Sequence, residues 1–253
     1  RRAVARPCAN FATVVPLLGQ DPGLSADILK FANSARYGAT HTVTTLEQAV
    51  GYIGMTHLAE YVTSAFATQC MAKSFAGLSG IDAYLVHSQR ISHGTRVLVA
   101  NCSISRESAD TFVLIALLHD IGKLVMATLL SPSAAALAGV SPSEMEKFAA
   151  SEKAMCGLNH CDVGAEICRH WHFPDLYEDC IRRHHTPIRG GDICTGAVLV
   201  FLSHMLDAEF AEEEFISIFS AQQLRNAGLD CGNLRRAFRE WQHHVAECDM
   251  QNG

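Results

Sequence analysis

The chain has 253 residues, 49% hydrophobic and 18% charged, so it can bury a sizeable core in one large domain or two small ones. Its net charge of −6 at pH 7 argues against broad, unspecific nucleic-acid binding and leaves only a local basic site open. We see no apolar run of the roughly 18 residues that cross a membrane, and no apolar segment of a secretory signal follows Arg1 and Arg2. We therefore expect a cytoplasmic protein with no membrane partner and no direct nucleic-acid partner. Because the sequence opens mid-pattern without Met, we also expect it to be part of a longer protein.

Cysteine and histidine are both frequent. The ten Cys are scattered and form no CxxC pair, which in a chain of this length favours reduced, mostly buried thiols over a disulfide framework. The thirteen His are the more informative count, because histidine is a common metal ligand.

Helical periodicity recurs along the whole chain, and strand alternation hardly appears. Apolar side chains recur at helical spacing over residues 21–36. Thr44 and Glu47 form the capping-box pattern of a second helix, which Gly54 ends, and a third helix is predicted over residues 55–72.

The later helices are predicted from the same periodicity and from their start and stop signals. They span residues 82–101, 106–131, a segment starting at 141–144, 160–171, 174–185, 192–208, 220–223 and 230–248. The predicted fold class is all-α, a multi-helix bundle that forms a single domain or two helical lobes divided at Gly77–Gly80. The predicted N-terminal lobe spans about residues 1–78, the second lobe about 79–210, and C-terminal helices cover 211–253.

An adjacent His119 and Asp120 interrupt the apolar pattern of the predicted helix 106–131. A buried carboxylate is costly unless it is paired or bound to a metal, and an imidazole beside a carboxylate suits zinc or a transition metal. Other potential ligands occur along the predicted helices, and a bundle can bring such residues together. The full set of candidates is His87, His119, Asp120, His160, His184, His185 and His204.

Structural alternatives exist for each of these residues. A lone histidine on an amphipathic helix is more often a hydrogen-bonded core or surface residue than a ligand, and His119 and Asp120 could simply join two helices. Arg182, Arg183 and Arg189 could attract a phosphate, although an exposed polar face is the commoner role. Cys161 could supply a thiolate or lie on a helix face.

Taken together, these residues resemble a known family. His87, followed by Leu118-His119-Asp120-Ile121-Gly122-Lys123, resembles the HD superfamily of metal-dependent phosphohydrolases. Other segments are similar to the HDOD domain, the HD-related output domain of bacterial signalling proteins; these are residues 21–24, 29–35, 49–54 and 171–174. The resemblance covers roughly residues 10–210. It implies an all-helical fold and a role in bacterial signal transduction, with an upstream receiver or sensor domain and an unidentified protein partner.

HDOD domains are usually regarded as non-catalytic, yet this chain keeps the ligand order of the related HD-GYP phosphodiesterases, which cleave cyclic di-GMP. The implied ions are one or two divalent transition metals, Fe, Mn or Zn. The implied ligands are His87, His119 and Asp120 for the first metal, and Asp120, His160, His184 and His185 for the second. If activity remains, Asp120 and Lys123 are the catalytic candidates, with Lys123 facing a substrate phosphate and a metal-bound water as nucleophile.

Two departures weaken the resemblance to active enzymes. HD enzymes use an Asp on a late helix as the last ligand, whereas His204 aligns best here and Asp207 lies about one turn away. The segment after His185 also lacks the GYP tripeptide. We therefore expect a mostly non-catalytic output module. A metal-dependent phosphodiesterase acting on a cyclic dinucleotide is the alternative, and a nucleotide-binding sensor without turnover is a third option.

Overall fold

The computed structural model describes residues 11–20, 22–33, 42–129 and 142–252. Within these ranges the regular secondary structure is helical apart from one two-stranded hairpin, so the predicted all-α class is confirmed. The chain divides into two compact units, Arg1–Lys73 and Ser74–Gly253.

The described residues of the first unit form four helices. They are α1 (Phe11–Leu18), α2 (Pro22–Ala32), α3 (Leu46–Ile53) and α4 (Met55–Ser74). Helix α3 packs against both α1 and α2, because Ala49, Val50 and Ile53 form a buried apolar face on it. The core of this unit also contains Val14 and Ile28, both completely buried.

The capping box of α3 lies one residue later than predicted. Thr45, not Thr44, is the N-cap, with extended backbone (φ −124°, ψ 155°), and its side chain accepts a hydrogen bond from the amide of Gln48. The Gln48 side chain accepts from the backbone amides of Thr44 and Thr45 in return. The helix ends at Gly54, which adopts φ +79°, a conformation that favours glycine.

The second unit contains the remaining elements. They are α5 (Ile81–Asn101), α6 (Arg106–Leu118), α7 (Ile121–Leu129), α8 (Met145–Cys156), α9 (His160–His170), α10 (Asp175–Arg183), β1 (Ile188–Arg189), β2 (Asp192–Ile193), α11 (Thr195–Asp207), α12 (Glu212–Ser217), α13 (Ala221–Asn226) and α14 (Cys231–Asn252). Helix α5 packs against α6, α11 and α14, while α9 packs against both α7 and α10.

Several predicted boundaries in the second unit were wrong. The predicted helix 106–131 is interrupted by a turn at His119 and Asp120, which separates α6 from α7. Helix α8 begins at Met145, where a side chain becomes buried, and not at 141–144; the residues 142–144 form a turn. A short hairpin precedes α11, because Gly190 and Gly191 both adopt positive φ and reverse the chain.

One stretch corrects the expectation that no run is apolar enough to span a membrane. Ser108–Leu129, 22 residues with a mean hydropathy of 1.8, passes that test by length and composition, and among the described residues no other stretch does. However, 78% of its most apolar 18-residue segment is buried inside the protein. Core helices can be as long and as apolar as a membrane span when they are buried in this way. It is therefore weak support for a membrane span.

Candidate metal centre

The seven side chains predicted as metal ligands come together in the second unit. They are contributed by α5, the turn between α6 and α7, the first residue of α9, the turn after α10, and α11. None is more than 8% exposed. Residues separated by more than a hundred positions in sequence thus share one buried region.

Asp120 lies at the middle of this region. One carboxylate oxygen, Oδ1, is 3.3 Å from Nε2 of His160 and 3.5 Å from Nε2 of His184. The other, Oδ2, is 3.2 Å from Nε2 of His119 and 3.7 Å from Nε2 of His87. Each oxygen therefore faces a different set of histidines, an arrangement that suits a carboxylate shared by two cations.

The first group of donors consists of His87, His119 and His204, whose ligand atoms lie within 4.8 Å of one another. The two Nε2 atoms of His119 and His204 are 3.1 Å apart. Asp207 Oδ2 is 3.8 Å from Nδ1 of His87, and its other oxygen is paired with Arg90. Both candidates for the last ligand are thus close to this group, with His204 inside it and Asp207 beside His87.

The second group consists of His160, Cys161, His184 and His185, again with ligand atoms within 4.8 Å of one another. All four side chains are buried. The rings of His184 and His185 are 4.2 Å apart between centroids, and those of His160 and His185 are 4.8 Å apart.

Hydrogen bonds at Nδ1 orient three of the imidazoles. His119 donates through Nδ1 to the carbonyl of Ala116 at 2.7 Å, and His184 donates to the carbonyl of Ile181 at 2.7 Å. His160 donates through Nδ1 to the carboxylate of Glu152 at 2.5 Å. Each bond directs Nε2 at the centre, where it can bind a metal once it is deprotonated, which is how metal-binding histidines are usually held.

Glu152 is a residue of the site that the sequence reasoning missed. It is buried, and besides the imidazole it accepts the backbone amide of His160 at 3.0 Å, so it also supports the start of α9. The sequence does contain a pattern that could have identified Glu152. With Met145 and Ala149 it forms the buried face of α8 at helical spacing. An acidic residue in an otherwise apolar stripe needs a buried partner.

Two glycines let α7 and α9 approach closely enough to join Asp120 to His160. A Cβ on Gly122 would lie 2.0 Å from the carbonyl oxygen of His160 and 2.7 Å from the amide of Gly164. A Cβ on Gly164 would lie 2.9 Å from Ile181. The glycine that follows the His-Asp pair in the motif therefore has a packing role at the site.

Lys123 is buried next to Asp120. Its Nζ is 2.7 Å from Oδ2 of Asp120 and 5.4 Å from the centre of the Phe148 ring. Only 2% of the residue is exposed. The ammonium group neutralises the central carboxylate in this structure.

In the first group, His119 and His204 have the charge state that a metal requires, as does the neighbouring Asp120. Burial lowers the pKa of His119 to about 4, although the neighbouring Asp120 acts in the opposite direction. Burial, reinforced by nearby histidines, holds the pKa of His204 well below its usual value. For Asp120 burial alone would raise the pKa, but His119 and Lys123 outweigh it and keep the pKa well below its usual value. The imidazoles of His119 and His204 are therefore neutral and the carboxylate is ionised.

In the second group the pKa shifts favour a thiolate at Cys161 and a protonated imidazole at His184. Burial acts to raise the pKa of Cys161, but His184 and His160 outweigh it and hold the pKa well below the usual thiol value. Burial acts to lower the pKa of His184, yet Cys161 and Asp120 raise it to about 10. A cation bound here would replace those protons, because metal ligands must be deprotonated.

Unsatisfied polar atoms support the binding of a metal. Four buried atoms of the predicted ligands make no hydrogen bond: both carboxylate oxygens of Asp120, of which Oδ2 is ion-paired with Lys123, together with Nε2 of His87 and Nε2 of His184. Such atoms are uncommon in folded proteins and call for a missing partner. One or two divalent cations would satisfy all four, and donors of the imidazole, carboxylate and thiolate types suit zinc or iron. The residues present therefore fit a metal.

The three arginines near the His pair have structural partners. Arg183 donates to the carbonyls of Pro187 and Asp192 and so ties α10 to the hairpin. Arg182 pairs with Asp162, and Arg189 donates to the hydroxyl of Thr186. These contacts account for the arginines without a phosphate ligand.

The chain resembles known proteins in sequence and in structure. An uncharacterised protein of Treponema pallidum (strain Nichols) is 24% identical over 243 residues, covering 89% of this chain. The chain spans only 45% of the length of that relative.

Solved structures share the fold at low sequence identity. An HDOD domain protein of unknown function from Geobacter sulfurreducens matches with a TM-score of 0.73 at 18% identity, covering 97% of this chain and 86% of that one. A candidate signal transduction protein from Marinobacter aquaeolei matches at 0.67 and 20% identity, over 100% and 57% of the two chains. A candidate phosphohydrolase from Shewanella amazonensis matches at 0.66 and 21% identity, over 94% and 86%.

The HDOD domain family model matches residues 1–187, which is most of the chain. That range contains the motif around His119 and Asp120 and all of the second donor group. The chain therefore belongs to the HDOD family.

Proposed function

We propose that this chain is a metal-holding, non-catalytic output module of a bacterial signalling protein, and that it binds one or two divalent transition metals between α5, α7, α9, α10 and α11. The observation that carries the proposal is the position of Asp120. Its two oxygens face separate groups of buried donors; neither oxygen makes a hydrogen bond, and Oδ2 is ion-paired with Lys123.

The burial of the site favours a regulatory metal over a catalytic one. The predicted ligands are at most 8% exposed, and Lys123, the residue that would meet a substrate phosphate, is paired with Asp120. A cyclic dinucleotide is a large anion that needs an open site. The absence of the GYP tripeptide after His185 agrees with this reading.

A bound metal would join the ends of helices that are far apart in sequence. Binding free energy at such a site adds directly to the stability of the arrangement that forms it. An upstream receiver or sensor domain could shift that arrangement and so expose a surface to a protein partner. The Marinobacter aquaeolei neighbour, named as a candidate signal transduction protein, is compatible with this role.

Metal analysis combined with a hydrolysis assay tests the proposal. We expect the purified protein to contain zinc, iron or manganese by elemental analysis and to produce no product from cyclic di-GMP. The variant Asp120→Asn keeps the shape of the side chain and should lose metal, whereas His170→Asn, at an exposed position on α9, should keep it. Metal-free protein that signals normally would contradict the proposal.

The second candidate function is a metal-dependent phosphohydrolase. A carboxylate between two donor groups favours it, because two-metal hydrolases place their ions about 3.5–4 Å apart around shared ligands. The candidate phosphohydrolase among the structural neighbours is compatible with it. Turnover of cyclic di-GMP that disappears in Asp120→Asn and Lys123→Met would favour this function. Saturable binding without product would instead indicate a nucleotide sensor.

A further inference from the structure

Cys161 lies within the second donor group although the family resemblance assigns only histidines and Asp120 to that metal. It follows His160 at the start of α9 and is 4% exposed. Its Sγ is 3.5 Å from Nε2 of His160 and 3.9 Å from Nδ1 of His185. The sulfur therefore faces two of the imidazoles.

These separations suit a single metal. A tetrahedral zinc ion with a Zn–S bond of about 2.3 Å and Zn–N bonds of about 2.0–2.1 Å places sulfur roughly 3.5 Å from each nitrogen. A second observation also points to a ligand: Nε2 of His184, in the same group, is completely buried and makes no hydrogen bond. The cysteine and the unpartnered imidazole face one another across the same small space.

We infer that Cys161 is a protein ligand of the metal held by His160, His184 and His185, so that the second group is a His3Cys site of the zinc type. This inference rests on the proposed function, because it takes the site to bind metal, and it assigns the metal and its role. A thiolate favours zinc over manganese. Four protein donors fill a tetrahedral site and leave no position for water or substrate, which is the property of structural zinc.

The consequence is a division of roles between the two groups. The second group holds a closed, structural ion at the ends of α9 and α10. The first group, with His87, His119 and His204, has no sulfur donor and is the one at which an exchangeable ion would bind.

Titration with Co²⁺ alone tests the inference on the metal-stripped chain. Cobalt bound by a thiolate gives a charge-transfer band in the near ultraviolet, and we expect this band in the wild type. In Cys161→Ser the band should disappear, and affinity at this site should fall by more than the roughly 10–100-fold that loss of a second-shell partner causes. Addition of Zn²⁺ should displace the cobalt and abolish the band in the wild type.

Two control variants separate Cys161 from the other buried thiols. Cys168→Ser changes a buried cysteine two turns along the same helix and should keep the band. Cys194→Ser breaks up the thiol pair with Cys180, whose sulfur atoms are 3.4 Å apart, and should also keep it. Zinc X-ray absorption of the wild type needs no variant and should show one sulfur neighbour at about 2.3 Å.

The outcomes distinguish this inference from the proposed function. A wild type that binds metal without sulfur scattering or a thiolate band overturns the inference and leaves the proposed function standing. Hydrolysis that depends on Asp120, with the sulfur ligand present, overturns the non-catalytic function and leaves the inference standing. A wild type that binds neither Co²⁺ nor Zn²⁺ overturns both.

Discussion

The two compact units differ in what their cores contain. Within the described residues of the first unit every buried side chain is apolar, as in the cluster around Val14, Ile28 and Leu58. The second unit buries an apolar core as well, but it also buries an ionised carboxylate, a lysine, a glutamate and several imidazoles. The described core of the first unit is therefore held together mainly by the burial of apolar side chains.

The difference shows which part of the chain needs a ligand. Ionised groups in a low-dielectric interior cost several kcal/mol each unless a counter-charge or a metal compensates them. The stability of the second unit should therefore depend on metal concentration, whereas that of the first should not. The following experiments test this contrast.

The largest effect is expected for Gly122→Ala. The added Cβ would meet the carbonyl oxygen of His160 at 2.0 Å, and because both partners are backbone they cannot move aside cheaply. We expect a loss of about 4 kcal/mol or more in the second unit, together with loss of metal. The control is Gly51→Ala, in α3 of the first unit, where the added Cβ has no atom within 4 Å. This substitution should raise the free energy of unfolding by up to about 1 kcal/mol. Urea unfolding measures both, and near-wild-type stability of Gly122→Ala would refute the close helix contact.

The next largest loss of stability is expected for a substitution in the first unit. Ile28 is completely buried, so Ile28→Ala should cost about 2–5 kcal/mol through lost burial and a cavity. The cost should be the same with and without added metal. Ile218→Ala is the matched control in the second unit, because Ile218 is 44% exposed and the same change should cost less than about 1 kcal/mol there. If the loss of stability in Ile28→Ala changed when metal is added, the stability of the first unit would also depend on metal, and the contrast between the two units would be refuted.

Metal removal should act on the second unit. At a free metal concentration of 100 times the Kd, binding contributes about 2.7 kcal/mol, and a chelator should remove that contribution. Amide hydrogen exchange should then rise around His119 and His184 and stay unchanged in the core of α2 and α3. In Asp120→Asn the contribution of an ion at the first group should already be lost, so the chelator should have a smaller effect than in the wild type. Equal changes in both units would argue against a local metal site.

The smallest expected effect is a pH dependence of stability that is caused by Cys168. It is absent at neutral pH. Burial, helped by Glu178, raises the pKa of this thiol from near 9 to about 11. Between these values the unfolded chain loses the thiol proton while the folded protein keeps it, so stability should fall as pH rises through this window. Cys168→Ala should remove this part of the slope. Below pH 9 the wild type and the variant should show the same pH dependence, and a slope that persists in the variant would assign it to another group.

Much of this structure follows from the sequence alone. The apolar spacing predicted the helical class, and residue type and order identified seven potential ligands, all of which come together. The start of α9 at His160 was also predicted, and in the structure Asn159 precedes it as an N-cap whose side chain accepts the amide of Asp162. These features are local, since they depend on side-chain periodicity and on hydrogen bonds within one turn.

Only the tertiary structure decided how the donors are grouped. The turn at His119 and Asp120, the support of His160 by Glu152, and the place of Cys161 among the histidines all depend on how α7, α8, α9 and α10 meet. A helical pattern specifies which face a residue occupies but not which atoms of a distant helix it will touch. That contact is set by helix crossings, and here by two glycines that allow backbones to approach more closely than any other residue would permit.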